Sequence, residues 1–117
     1  MNITHATIDG NRILHLDGRF DFGARKTFKE AVDAAIETGN PIVLDLGKVT
    51  FVDSSALGLL VISHQNLKNK QILFFLLNPQ TYVKQVLDLA NIGKMISTHQ
   101  TLADIPKGAS VSSVTPA

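Results

Sequence analysis

Cysteine is absent from the chain. That excludes a disulfide scaffold, a thiolate metal site and a cysteine nucleophile. An excess of one charge is also missing: 11 Lys and Arg face 10 Asp and Glu, for a formal net charge of +1. Such a balance argues against direct nucleic-acid binding, which needs a concentrated basic surface, and against an electrostatic membrane anchor. No apolar run approaches the roughly 18 residues of a spanning helix. The opening Met1-Asn2-Ile3-Thr4-His5 lacks the basic and apolar regions of a signal peptide, so no membrane insertion and a cytoplasmic location are expected. There is no internal repeat and no Gly-x-x-x-x-Gly-Lys phosphate loop. The four histidines, His5, His15, His64 and His99, share no metal-ligand spacing. Around Ser54 the context is Val52-Asp53-Ser54-Ser55-Ala56, without the flanking glycines of a hydrolase elbow. His64 is expected to be a semi-buried packing residue rather than a base. Neither an enzyme activity, a cofactor nor a metal is expected.

What is present suffices for one domain. The chain has 117 residues, 44% hydrophobic and 18% charged, which is enough for a packed core. Ile3 to Ile8 and Ile13 to Asp17 read as a hairpin around Asp9-Gly10-Asn11, with Gly18 ending the second strand. Asp21 to Thr38 reads as an amphipathic helix. Phe28, Val32, Ala35 and Ile36 lie on its core face, with Asp21 as N-cap and Gly39 beyond its C-terminus. Pro41 to Leu46 suits a strand buried on both faces. So does Ile72 to Leu77, expected to be the most central strand. Between them Ser54 to about Asn69 reads as a helix with a core stripe of Leu57, Leu60, Val61, His64 and Leu67, completing a βαβ unit. Leu59 and Ile62 lie outside that stripe. Burial against neighbouring elements is expected for both, the alternative being an apolar patch for a partner. A third helix is predicted after Asn78, with Asn78 as N-cap and Pro79 at its first position. Val83, Val86, Leu87 and Ala90 form its apolar face, and Asn91-Ile92-Gly93 ends it. Met95 to Thr98 suggests a short edge strand and Thr101 to Ile105 a helical turn. The fold class is α/β: one domain over 1–105, a mixed sheet of four to five strands packed with about four helices. Residues 106–117 read as a polar, frayed tail.

The distinctive stretch runs from Val43 to Leu60. A buried strand leads through a short apolar link to Asp53-Ser54-Ser55, at the point where a helix begins. Two readings stand side by side. Backbone N–H groups are unsatisfied there, so these side chains can serve as a cap and nothing more. A helix N-terminus also tolerates an anion, so a phosphate on Ser54 could be held without unfolding. That phosphate would add about −1.5 to −2 charges to a small surface.

The strand with Asp45-Leu46, the segment Val-Thr-Phe-Val-Asp-Ser-Ser-Ala-Leu-Gly-Leu-Leu and the element order resemble the STAS domain of anti-sigma factor antagonists, from about Ile3 to Ile105. The resemblance implies that Ser54, with Ser55 as second choice, is phosphorylated by a partner that is both an anti-sigma factor and a serine kinase. It implies binding of that partner when unphosphorylated, release on phosphorylation, resetting by a serine phosphatase, and a monomer when free. Gly18-Arg19-Phe20-Asp21 and Asn78-Pro79 also match the family pattern. The implied partner surface comprises Asp21, Phe22, Asp53, Ser54, Ser55, Ala56, Leu57 and Asn78. Ala56 stands where the family usually has glycine; alanine stiffens the first helical turn, and its methyl is expected to narrow the approach to Ser54. STAS-like domains also serve transporters, which leaves a stand-alone regulatory subunit of a lipid or anion transport complex as the alternative.

Overall fold

The computed structural model describes residues 1–106; the tail expected from 106 onward lies outside the described residues except for Pro106. The elements are β1 (Asn2–Ile8), β2 (Asn11–Phe20), α1 (Arg25–Ile36), β3 (Ile42–Val52), α2 (Ser54–Asn69), β4 (Phe74–Leu77), α3 (Thr81–Leu89) and β5 (Ser97–His99). Single 3-10 turns cover Phe22–Ala24, Ile92–Lys94 and Leu102–Asp104. Among the described residues there are thus three α-helices rather than about four. The remaining helical pieces are too short to be more than turns.

The five strands lie in the order β1-β2-β3-β4-β5, with β1 antiparallel to β2 and the other pairs parallel. The expected α/β class and mixed sheet are therefore found. The central strand, however, is β3 and not the Ile72–Leu77 segment. The β1–β2 hairpin extends the sheet on one side and β4–β5 on the other. Asp9 and Gly10 turn the hairpin with φ of 53° and 80°, the left-handed pair that a two-residue turn matching strand twist requires.

Both β2 and β3 run further than their sequence suggests. Gly18 does not end β2: Gly18 pairs with Val49, and after a bulge Arg19 pairs with Phe51 and Phe20 with Val52. The link after Leu46 is likewise strand. A second register shift falls between His15 and Asp17, and the Asp45 carboxylate accepts the Gly47 N–H at 3.0 Å. Space at Gly47 is tight. A Cβ there would lie 3.0 Å from Asn78 Nδ2 and 3.2 Å from Asp45 Oδ1, and the Gly47 carbonyl accepts from Gln80 Nε2 at 2.9 Å. β4 starts late because the Ile72 N–H closes the end of α2 on the Leu67 carbonyl.

The helices share one face of the sheet. Leu14, Leu16, Leu44, Leu46 and Leu76 meet Phe28, Val32, Leu60, Leu67, Val83 and Leu87 in one buried cluster. On the opposite face Ile13, Val43, Phe75 and Leu77 are covered by Ile105. Two-sided burial explains the near-continuous apolar run at the start of β3. The core stripe of α2 is Ala56, Leu60, Ser63 and Leu67. Leu57, Val61 and His64 flank it and are only partly buried. Ile62 is 64% exposed, against the expectation of burial, because it falls on the side of α2 turned away from the sheet. α3 begins at Thr81 with Gln80 as cap residue. Asn78 does not cap it as expected: it lies two residues before the cap position and its φ is 53°, while its N–H donates to the His99 carbonyl at 2.7 Å.

Two truncations to alanine on α2 test this burial pattern. Leu60, 1% exposed, is expected to cost about 2–5 kcal/mol on replacement by alanine. Ile62→Ala is expected to stay within about 0.5 kcal/mol. Urea denaturation of both variants checks the orientation of the helix, and equal costs would contradict it.

Candidate functional site

β2 and β3 end together, so the residues that follow them are neighbours. Phe20 and Val52 are paired; Asp21-Phe22 leaves one strand and Asp53-Ser54 the other. Asp53 ties the two exits. Its N–H donates to the Phe20 carbonyl at 3.4 Å. Its Oδ2 accepts the Phe22 N–H at 3.2 Å, and its Oδ1 accepts the Ala56 N–H at 3.0 Å. Asp53 is thus the N-cap of α2. The Leu57 N–H goes to the Asp53 carbonyl at 3.2 Å.

This assignment separates the two readings of Asp53-Ser54-Ser55. Capping is done by the aspartate, which leaves the serines with no part in it. Ser54 is exposed and Ser55 half-buried, both in the first turn of α2. Their own N–H groups lack intrahelical acceptors, as the first turn of any helix dictates. An exposed hydroxyl therefore stands at the positive end of a 16-residue helix, on a carboxylate-anchored first turn.

The other expected site residues fall into three groups. Asp21 and Phe22 sit beside Asp53. Asp21 makes no side-chain cap, contrary to expectation; its carboxylate instead pairs with Arg19 Nε at 3.3 Å. Phe22 is 62% exposed, with the Arg25 guanidinium 4.9 Å from its ring centroid. Ala56 is 0% exposed. Its methyl faces the core, so it neither narrows the approach to Ser54 nor offers side-chain surface; Leu57 is half-buried. Asn78 is not brought to this end. It abuts Gly47, five residues before Val52, roughly 16 Å away at the rise of a strand.

A concavity of about 700 Å³ lies elsewhere, on the sheet face against β1 and β2, lined by Thr4, His15, Asp17, Asp45 and Lys48. There His15 Nδ1 and Asp45 Oδ2 are 2.7 Å apart. Among the described residues no three His, Cys, Asp or Glu side chains gather as a metal ion requires. No helix among them is long and apolar enough to cross a membrane. Sequence reasoning passed over Arg19 and Arg25 because their roles depend on ring stacking. Arg19 lies 4.1 Å from the Phe51 ring centroid, a neighbour set by strand register.

Comparison with known proteins matches this geometry to a family. The profile of the STAS domain covers residues 2–105. The chain belongs to the STAS domain family. It is 32% identical over 88 residues to a STAS-domain containing protein of Pseudomonas aeruginosa (strain UCBPP-PA14), a match covering 74% of this chain and 87% of that protein. Among solved structures it is similar to a candidate anti-sigma factor antagonist from Thermotoga maritima. That likeness has a TM-score of 0.79 and 25% identity, and covers 87% of this chain and 89% of that one. The unphosphorylated form of the anti-sigma factor antagonist SpoIIAA shares the fold, with a TM-score of 0.71 and 22% identity over 88% of this chain and 91% of that one.

Because Asp53 holds both the cap and the neighbouring Phe22 N–H, Asp53→Ala is expected to cost about 1–3 kcal/mol, a lost cap plus an unpaired amide. Ser54→Ala is expected to change stability by less than about 0.5 kcal/mol. Guanidinium unfolding of the two variants decides which residue is the cap. A larger loss from Ser54→Ala would reverse the assignment.

Proposed function

We propose that this STAS domain is an anti-sigma factor antagonist whose partner is an anti-sigma factor with serine-kinase activity. Unphosphorylated, it binds that partner in the cytoplasm and so releases a sigma factor. The partner then moves the γ-phosphoryl group of ATP to Ser54 Oγ, with loss of the hydroxyl proton and departure of ADP. The phosphoprotein lets go, and a serine phosphatase restores it by hydrolysis. The domain itself catalyses nothing in this cycle; it is substrate and ligand.

One observation carries the reading. Ser54 is exposed at the start of α2 while Asp53 does the capping, so its hydroxyl is available without cost to the fold. Family membership and the likeness to the Thermotoga protein support it. The effect of the phosphate follows from electrostatics. The helix N-terminus favours a dianion, so the domain stays folded. The Asp53 and Asp21 carboxylates nearby add to the negative charge, and a partner surface shaped for a neutral hydroxyl meets repulsion and a desolvation cost.

Incubation of the purified protein with ATP and serine-kinase anti-sigma factors from the same genome, followed by intact mass and site mapping, tests this. One added phosphate on Ser54, absent from Ser54→Ala, is the expected result. Ser54→Ala is expected to keep wild-type affinity for the partner. Ser54→Asp is expected to weaken binding at least about tenfold, on the scale of a like charge placed in a desolvated interface. Phosphate on another residue, or equal binding by all three proteins, would defeat the switch.

A further inference from the structure

The two edges of the sheet are built differently. β5 ends one side with three residues, Ser97–His99, and so offers little backbone. β1 ends the other with seven, Asn-Ile-Thr-His-Ala-Thr-Ile. An exposed edge strand is a template for another chain, and proteins blunt such edges with charge, proline, bulges or shortness. β1 has none of these devices. It holds no Lys, Arg, Asp, Glu or Pro, and its register with β2 runs unbroken from Asn2 opposite Asp17 to Ile8 opposite Asn11. Among the described residues no other backbone group pairs with its outer edge.

Which groups face outward follows from the turn. Asp9 and Gly10 form a two-residue loop, so Ile8 and Asn11 are the hydrogen-bonded pair that closes it. Bonded and non-bonded pairs alternate along an antiparallel ladder. Ile8, Ala6, Thr4 and Asn2 therefore turn their N–H and C=O groups to β2, and Thr7, His5 and Ile3 turn theirs outward. The outward set is centred on His5. Under a two-fold axis at His5, β1 of a second copy runs antiparallel and sets Thr7, His5 and Ile3 against Ile3, His5 and Thr7. Each of these pairs then exchanges both hydrogen bonds, and any other register leaves an outward residue unpaired. Ile3 meets Thr7, a favourable pair of β-branched side chains. Thr4 meets Ala6 and Asn2 meets Ile8, so no like charges face each other. α1, packed beside β1, carries Arg25, Lys26 and Lys29 against Glu30, Asp33 and, at its C-cap, Glu37, so no excess of one sign opposes a second copy.

We propose that β1 is the interface through which two copies of this chain associate, antiparallel and centred on His5, joining their sheets into one. Such an isologous contact closes on itself and leaves neither β1 edge open. A second copy is the occupant because the outward groups repeat under a two-fold operation, which a partner of unrelated sequence does not require. A seam one strand long is small for a protein interface, so the dimer is weak and concentration-dependent. It departs from the monomer that the family resemblance implies. The inference does not rest on the proposed function: the seam lies on the far side of β2 from β3, whose end leads to Ser54.

Sedimentation equilibrium of the full chain over a wide concentration range, with amide exchange at Ile3, His5 and Thr7, tests this. A monomer–dimer equilibrium is expected, with protection of those amides that rises with concentration. Because exposed His5 meets its own copy, charge at this position is decisive. His5→Lys and His5→Glu are each expected to keep the wild-type Tm and to weaken self-association several-fold, since like charges then lie directly opposite. An equimolar mixture of the two is expected to associate more tightly than either alone, as a heterodimer. Gln85→Lys, exposed on α3, is expected to associate as wild type. A wild-type monomer at every concentration would overturn the proposal. So would self-association left unchanged in both His5 variants. Protection independent of concentration would place another part of the same chain, residues 107–117, on this edge and overturn the dimer as well.

Discussion

The parallel pairing of β2 with β3 is the constraint on which the rest of the molecule depends. It runs the length of both strands, from Arg12 opposite Ile42 to Phe20 opposite Val52, whereas β4 pairs with β3 only from Ile42 to Asp45. Both strands therefore carry on together past the last residue of β4 and deliver their ends to one place. Asp53 and Phe22 meet there, and their hydrogen bond joins the start of α2 to the turn that leads into α1. A strand slipped by one residue would turn every side chain to the other face. The two bulges correct register without that slip, and one of them depends on the space around Gly47.

Division of labour at the site follows from this geometry. Asp53 accepts from both Phe22 and Ala56, and so anchors the first turn of α2 to the end of β2. Ser54, next in sequence, has no structural duty. In the proposed switch the residue that changes charge is not the residue that holds the turn. Rigid presentation at the end of a strand pair, rather than flexibility, makes such a hydroxyl readable by another protein, since little order is lost on binding. Within the proposed switch the stability of the fold and the state of the surface are decoupled.

Much of this protein is legible in its residues because the relevant physics is local. Asp-Gly specifies the hairpin turn, and an apolar run bounded by turn residues specifies the buried start of β3. The 3.6-residue period marks α1 and α2, and an acidic-hydroxyl cluster before an apolar period marks the start of α2. Family resemblance rests on the same stretch and leads to the same serine. Three things were decided only by tertiary structure. Gly18 reads as the end of its strand, and the stretch after Leu46 reads as a link, yet both lie within paired strands beside bulges, because pairing with a distant strand overrides a local interruption. Asp53 rather than a serine is the cap, because its second oxygen has a partner 31 residues earlier. Ala56 and Ile62 exchange their expected places, buried and exposed, because the rotation of a helix about its axis is set by what it packs against. Periodicity gives the existence of a face; only the sheet beneath it says which face is hidden.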